Sequence, residues 1–130
     1  MSQKIHHEIS INADPQRIFE ALTDAAQFAE FTGAPAEIDL VVGGEFATFG
    51  GMITGLTIEA IPGIRLVQAW RVANWNPGIY SIAKFEFEAL GNSETNLIFD
   101  HTGFPDEHRD HLDQGWHERY WQPLKDYPNA

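Results

Sequence analysis

His101 is the side chain of this sequence best placed to do chemistry. It ends the run Thr95, Leu97, Phe99, His101, whose members share the inner face if the segment is a strand, because successive side chains alternate sides. A histidine on such a face has three readings. It can anchor the hydroxyl or carboxylate of a ligand, or act as a general acid–base group whose pKa is tuned by burial. It can also be a core histidine satisfied by a backbone carbonyl, by Tyr120 or by Glu59. The same parity puts Ser81 inward with Ala83, Phe85 and Phe87, and Gln68 inward with Leu66 and Trp70. No second acid–base group is spaced to complete a pair with His101, so no catalytic residue is assigned.

The other histidines read as a solvated face. His108 and His111 lie one turn apart on an expected helix beside Asp106, Asp110 and Asp113, but no further ligand is spaced to complete a metal site. His6 and His7 point to opposite sides of a strand. The chain has no cysteine, which removes thiolate chemistry, disulfides and cysteine-bound zinc. Gly43, Gly44, Gly50 and Gly51 lack the helix and the Lys-Ser/Thr of a phosphate loop and read as turn and bulge positions. No metal and no cofactor are expected.

Composition narrows the partners. A net charge of −11 disfavours nucleic acid and anionic membrane surfaces, both of which reward clustered Lys and Arg. No run approaches the ~18 apolar residues that span a bilayer, and the first residues carry no apolar signal core, so a cytoplasmic setting is expected. A 43% hydrophobic content over 130 residues suits a single domain, 1–130, with a full core.

The elements that must hold these residues follow in order. Lys4 to Ile11 reads as a strand. Asp14-Pro15 starts a helix, with Asp14 expected as its cap, and Asp24 with Gln27 resembles a capping box for a second short helix. Ala36 to Leu40, Glu45 to Phe49, Met52 to Ile61, Ile64 to Val72, Tyr80 to Ala89 and Glu94 to Gly103 read as strands, with Leu90 to Ser93 as a hairpin connection. In Met52 to Ile61 the inward set is expected to be Met52, Thr54, Leu56 and Ile58. The last helix, from about Asp110 to Lys125, carries Leu112, Trp116, Tyr120, Leu124 and Tyr127 on one face, with Pro123 expected to kink or loosen it. Such an aromatic face must lie on a wide apolar surface. A curved antiparallel sheet gripping it leaves a cavity whose expected lining is Gln68, Trp70, Trp75, Tyr80, Ser81, Phe85, His101, Trp116 and Tyr120. Trp75, in the breaker-rich Asn74 to Gly78 loop, is either an exposed gate or a core residue.

Several strings carry a resemblance: Phe19-Glu20-Ala21-Leu22-Thr23-Asp24, Gly43-Gly44-Glu45-Phe46, Gln68-Ala69-Trp70-Arg71, His101-Thr102-Gly103-Phe104-Pro105, and Gly115-Trp116 with Tyr120-Trp121 and Pro123-Leu124. Together they resemble the START-like helix-grip (SRPBCC) superfamily, in its branch of activator of heat-shock protein 90 ATPase homologues. The resemblance implies an α+β fold, a curved antiparallel sheet around a long C-terminal helix, with an internal cavity for a small apolar molecule. It also leaves open a chaperone or another protein as partner, a homodimer, and a cyclase- or hydrolase-like enzyme acting on an aromatic or polyketide-type substrate. The larger co-chaperones carry a separate docking domain, for which 130 residues leave no room.

Overall fold

The computed structural model describes residues 3–91 and 93–127, so Asn92 of the expected hairpin connection lies outside the described residues. Seven strands form one antiparallel sheet: β1 (Lys4–Ile11), β2 (Ala36–Ile38), β3 (Glu45–Thr48), β4 (Ile53–Ile61), β5 (Arg65–Val72), β6 (Ser81–Ala89) and β7 (Thr95–Thr102). Their order is β1-β7-β6-β5-β4-β3-β2, so the first strand returns beside the last and the rest is a meander. Two short helices, α1 (Pro15–Thr23) and α2 (Ala25–Thr32), follow β1. The chain ends in α3 (Arg109–Trp116), a π turn (His117–Trp121) and α4 (Gln122–Asp126). The fold is α+β, a curved antiparallel sheet gripping the C-terminal helix.

The short helices form for local reasons. Pro15 occupies the first turn of α1 and Ile18, Phe19 and Leu22 bury its inner stripe. Asp14 precedes it in extended conformation but makes no side-chain cap, contrary to expectation. Asp24 does cap α2, accepting from the Gln27 amide at 3.0 Å, and Gly33 ends that helix at φ 74°.

β6 and β7 bury the expected faces. Ser81, Ala83, Phe85 and Phe87, and Thr95, Leu97, Phe99 and His101, are all buried. β4 does the opposite of what its sequence suggests. Ile53, Gly55 and Thr57 point inward, while Met52 and Ile58 are exposed. Gly55 decides this parity. A Cβ there would sit 1.9 Å from the Ala69 carbonyl oxygen and 2.7 Å from the Phe46 ring, so only glycine fits between its cross-strand neighbours Phe46 and Trp70. A bulge between Thr57 and Glu59 then shifts the register and leaves Ile58 unpaired on the outside.

Pro123 shapes the end of the C-terminal helix. Lacking an N–H, it cannot bond to the preceding turn. The helix answers with the π turn, in which the Gln122 amide reaches back five residues to the His117 carbonyl. One extra residue per turn carries Trp121 onto the buried face, and its indole lies nearly parallel to that of Trp116 at 5.7 Å. Leu112, Trp116, Tyr120 and Leu124 are buried as the spacing predicts, and Trp121 joins them.

Candidate functional site

His101 is wholly buried and both of its ring nitrogens are occupied. The Trp116 indole donates to Nδ1 at 3.0 Å. Indole nitrogen only donates, so Nδ1 must hold a lone pair and the proton must sit on Nε2. Nε2–H then donates to the Ser81 hydroxyl at 2.7 Å, and Ser81 donates to the Trp70 carbonyl at 2.7 Å. Burial drives the His101 pKa down to about 3, so the ring is neutral at ordinary pH. The chain of bonds ends on a backbone carbonyl. It braces Trp70 and Trp116 against each other and leaves no nitrogen for a ligand. His101 therefore has partners other than the expected backbone carbonyl, Tyr120 or Glu59; Glu59 pairs instead with Arg65.

The walls so braced enclose a cavity of about 370 Å³. Its floor is Ile53 of β4 with Trp70 and Val72 of β5, and one end is closed by Phe49 and Met52. Leu112, Trp116 and Tyr120 form the helix side. Trp75 completes the wall. It is buried, packs edge-on to Trp70 at 6.0 Å and stacks parallel to His108 at 6.3 Å. Arg71 holds this loop by donating to the carbonyls of Trp75 and Asn76. Trp75 is thus a fixed wall and not an exposed gate.

Of the expected lining, Trp70, Trp75, Trp116 and Tyr120 come together here. Gln68 and Phe85 border a separate void of about 10 Å³ under the sheet, while Ser81 and His101 are sealed in the core. Tyr80 precedes β6, is exposed, and lies in an open groove on another part of the sheet.

Two polar residues of the cavity, His108 and His111, belong to the set that the sequence suggests is a solvated face. His108, His111, Gly115 and Arg119 fall at spacings of three, four and four, a second helical stripe beside the aromatic one, and all four line the cavity with Asn74. The spacing was visible in the sequence; that the stripe faces a cavity rim depends on how the helix is rotated. No Asp or Glu lines the cavity. Deeper in, the buried Trp70 indole N–H and Thr48 hydroxyl face the Tyr120 phenol. Burial pushes the Tyr120 phenol up, opposed by those same two groups and by the charge of Arg119.

A second cluster was not anticipated. His7 of β1 meets Asp113 through Nε2 at 2.7 Å, and the His117 ring lies 4.1 Å away. The three offer ligand atoms within 4.8 Å of one another. Trp121, however, donates to His7 Nδ1 at 2.8 Å, which leaves the proton on Nε2, pointing at Asp113. A metal on Nε2 would displace that proton to Nδ1 and set two N–H groups face to face. The trio is a clasp between the first strand and the last helix. Among the described residues, no helix is long and apolar enough to cross a membrane.

The sequence profile of a family described as Activator of Hsp90 ATPase homolog 1-like protein matches residues 12–128. An activator of 90 kDa heat shock protein ATPase homolog from Dictyostelium discoideum is 27% identical over 85% of this chain, which spans 29% of that protein. Among solved structures, an HSP90 activator from Plasmodium falciparum superposes with a TM-score of 0.90 at 25% identity, covering 97% of this chain and 96% of that one. The Aha1 dimer from Colwellia psychrerythraea superposes at 0.81 with 22% identity over 95% of this chain and 94% of that one, a likeness of fold.

Proposed function

The chain belongs to the activator of Hsp90 ATPase homolog 1-like family, and from that premise we propose that it binds a small apolar molecule in the cavity between sheet and C-terminal helix. The observation that carries this reading is the cavity itself. Its volume of about 370 Å³ lies within the range of ligand pockets, roughly 300–1,000 Å³, and its walls are mostly apolar. The Trp70 and Trp116 rings pack on each other at 5.3 Å and are held by buried hydrogen bonds through Ser81 and His101, so that wall is preorganised. His101 acts here as a brace. An enzyme reading asks for an accessible acid–base group, and His101 has no free nitrogen to serve as one.

Native mass spectrometry of protein purified from its own cells tests the proposal. A bound apolar compound, lost in Gly115→Leu, is the expected result. Gly115 lines the cavity and a Cβ there meets nothing within 4 Å, so a leucine would fill the space without disturbing the helix. Ligand retained in that variant would sink the reading.

A second reading is a chaperone-modulating surface in a cytoplasmic setting, favoured by the near-complete overlap with the Plasmodium activator. Stimulation of an Hsp90-type ATPase that survives in Gly115→Leu would support it independently of the cavity.

A further inference from the structure

Arg119 stands apart from the other four arginines of the chain. Arg17 donates to Gln27, Arg65 pairs with Glu59, Arg71 holds the Trp75 loop and Arg109 meets Asp110. Among the described residues Arg119 makes no hydrogen bond and no ion pair. It lines the cavity beside His108 and His111, on a rim with no carboxylate. That is unusual for a chain of net charge −11, in which Asp and Glu outnumber Lys and Arg by 19 to 8. The Arg119 guanidinium is exposed at this rim, with no carboxylate against it among the described residues.

We propose that the occupant of this cavity is an amphipathic organic anion, with a flat apolar body against the wall of Trp70, Trp75 and Trp116 and a carboxylate at the rim on Arg119. The inference rests on the ligand-binding reading and adds the chemical class. An aromatic body matches walls set to stack or meet it edge-on. A planar guanidinium without a carboxylate partner can donate two parallel bonds to one. The surrounding acidic surface would repel a free anion, so an uncompensated cation at the mouth is what makes that group bindable. His108 and His111 line the cavity beside it and add ring nitrogens to the rim.

The test is a tryptophan-fluorescence titration with two probes of one shape, 2-naphthaleneacetate and its neutral counterpart 2-naphthaleneethanol. Both should bind the wild type, the acid about tenfold more tightly, the scale of one charge-assisted bond. Arg119→Gln should erase that preference and leave the alcohol unchanged; Gly115→Leu should abolish both. Equal affinity for the two probes overturns the proposal while leaving the cavity reading intact. An acid preference that persists in Arg119→Gln overturns it as well, by placing the carboxylate elsewhere. If neither probe binds, or both still bind Gly115→Leu, the ligand-binding reading fails and this one falls with it.

Discussion

The Trp116 indole nitrogen lies 3.0 Å from Nδ1 of His101, and that bond fixes which tautomer the histidine keeps. Both rings are buried, so neither nitrogen faces bulk water. The residue most suggestive of catalysis is thereby turned into a spacer between two cavity walls. Its chemistry shows up in stability and not in turnover.

The first prediction concerns pH. The folded pKa of His101 is depressed from 6.5 to about 3, so between those values the unfolded chain binds one proton more than the folded one. Stability must then rise with pH across that window, by about 1.4 kcal/mol per pH unit from this residue alone, and be fully present above 6.5. His7, also lowered by burial, adds in the same sense, with Asp113 opposing. Urea melts of wild type and His101→Gln from pH 3.5 to 8 separate the two, since His7 is common to both. The variant should be less stable by about 1–3 kcal/mol at pH 8 and show the shallower slope. Parallel slopes would mean that His101 titrates normally.

Trp116 carries two separable contributions. Its ring packs on Phe99 and on Tyr120, each at 4.2 Å, and its N–H satisfies His101. Trp116→Ala should cost about 3–5 kcal/mol. Trp116→Phe keeps most of the packing but orphans the His101 acceptor, at about 1–3 kcal/mol. A loss below about 1 kcal/mol for the alanine variant would indicate that the ring borders open space more than it packs.

Gly115 offers a prediction of opposite sign. It sits inside α3 without positive φ, and an added Cβ meets nothing within 4 Å. Gly115→Ala should therefore stabilise the fold by about 0.5–1 kcal/mol, read as a higher denaturation midpoint. A destabilised variant would mean that the helix needs the glycine, and that the wall of the cavity moves.

Sequence reading went furthest where one period ruled. β7 alternates throughout and β6 as far as Phe87, and the Leu112 to Leu124 stripe keeps helical spacing, so the grip of sheet on helix was legible. It failed where the informative residue was silent or the period changed. Gly55 carries no hydropathy yet sets the parity of β4 through a steric limit from Phe46 and Ala69. Trp121 is five residues from Trp116 and reaches the core only because Pro123 widens the turn. Four of the nine expected lining residues meet at the cavity. Gln68, Ser81, Phe85 and His101 share the inner face, but parity states a side and not a depth, while Tyr80 precedes inward Ser81 and is exposed. Ser81 and His101 are on the right face and too far inside.

The last prediction concerns His7. Trp121 donates to Nδ1, so the ring should be the Nε2–H tautomer, with Nε2–H donating to the Asp113 carboxylate. Long-range nitrogen–proton NMR spectra distinguish the two tautomers directly. With Nε2 protonated, stoichiometric zinc should leave both the spectrum and the melting temperature unchanged, even though His7, Asp113 and His117 are near enough to hold an ion. Metal binding would require the proton to leave Nε2 and two N–H groups to confront each other in a buried site, which costs the desolvation of both. Trp121→Phe removes that conflict, freeing Nδ1 for the proton and Nε2 for a ligand bond. The variant should thus respond to zinc more than the wild type does, despite the loss of packing. An Nδ1–H signal in the wild type, or a rise in its melting temperature with zinc, would turn the clasp into a metal centre.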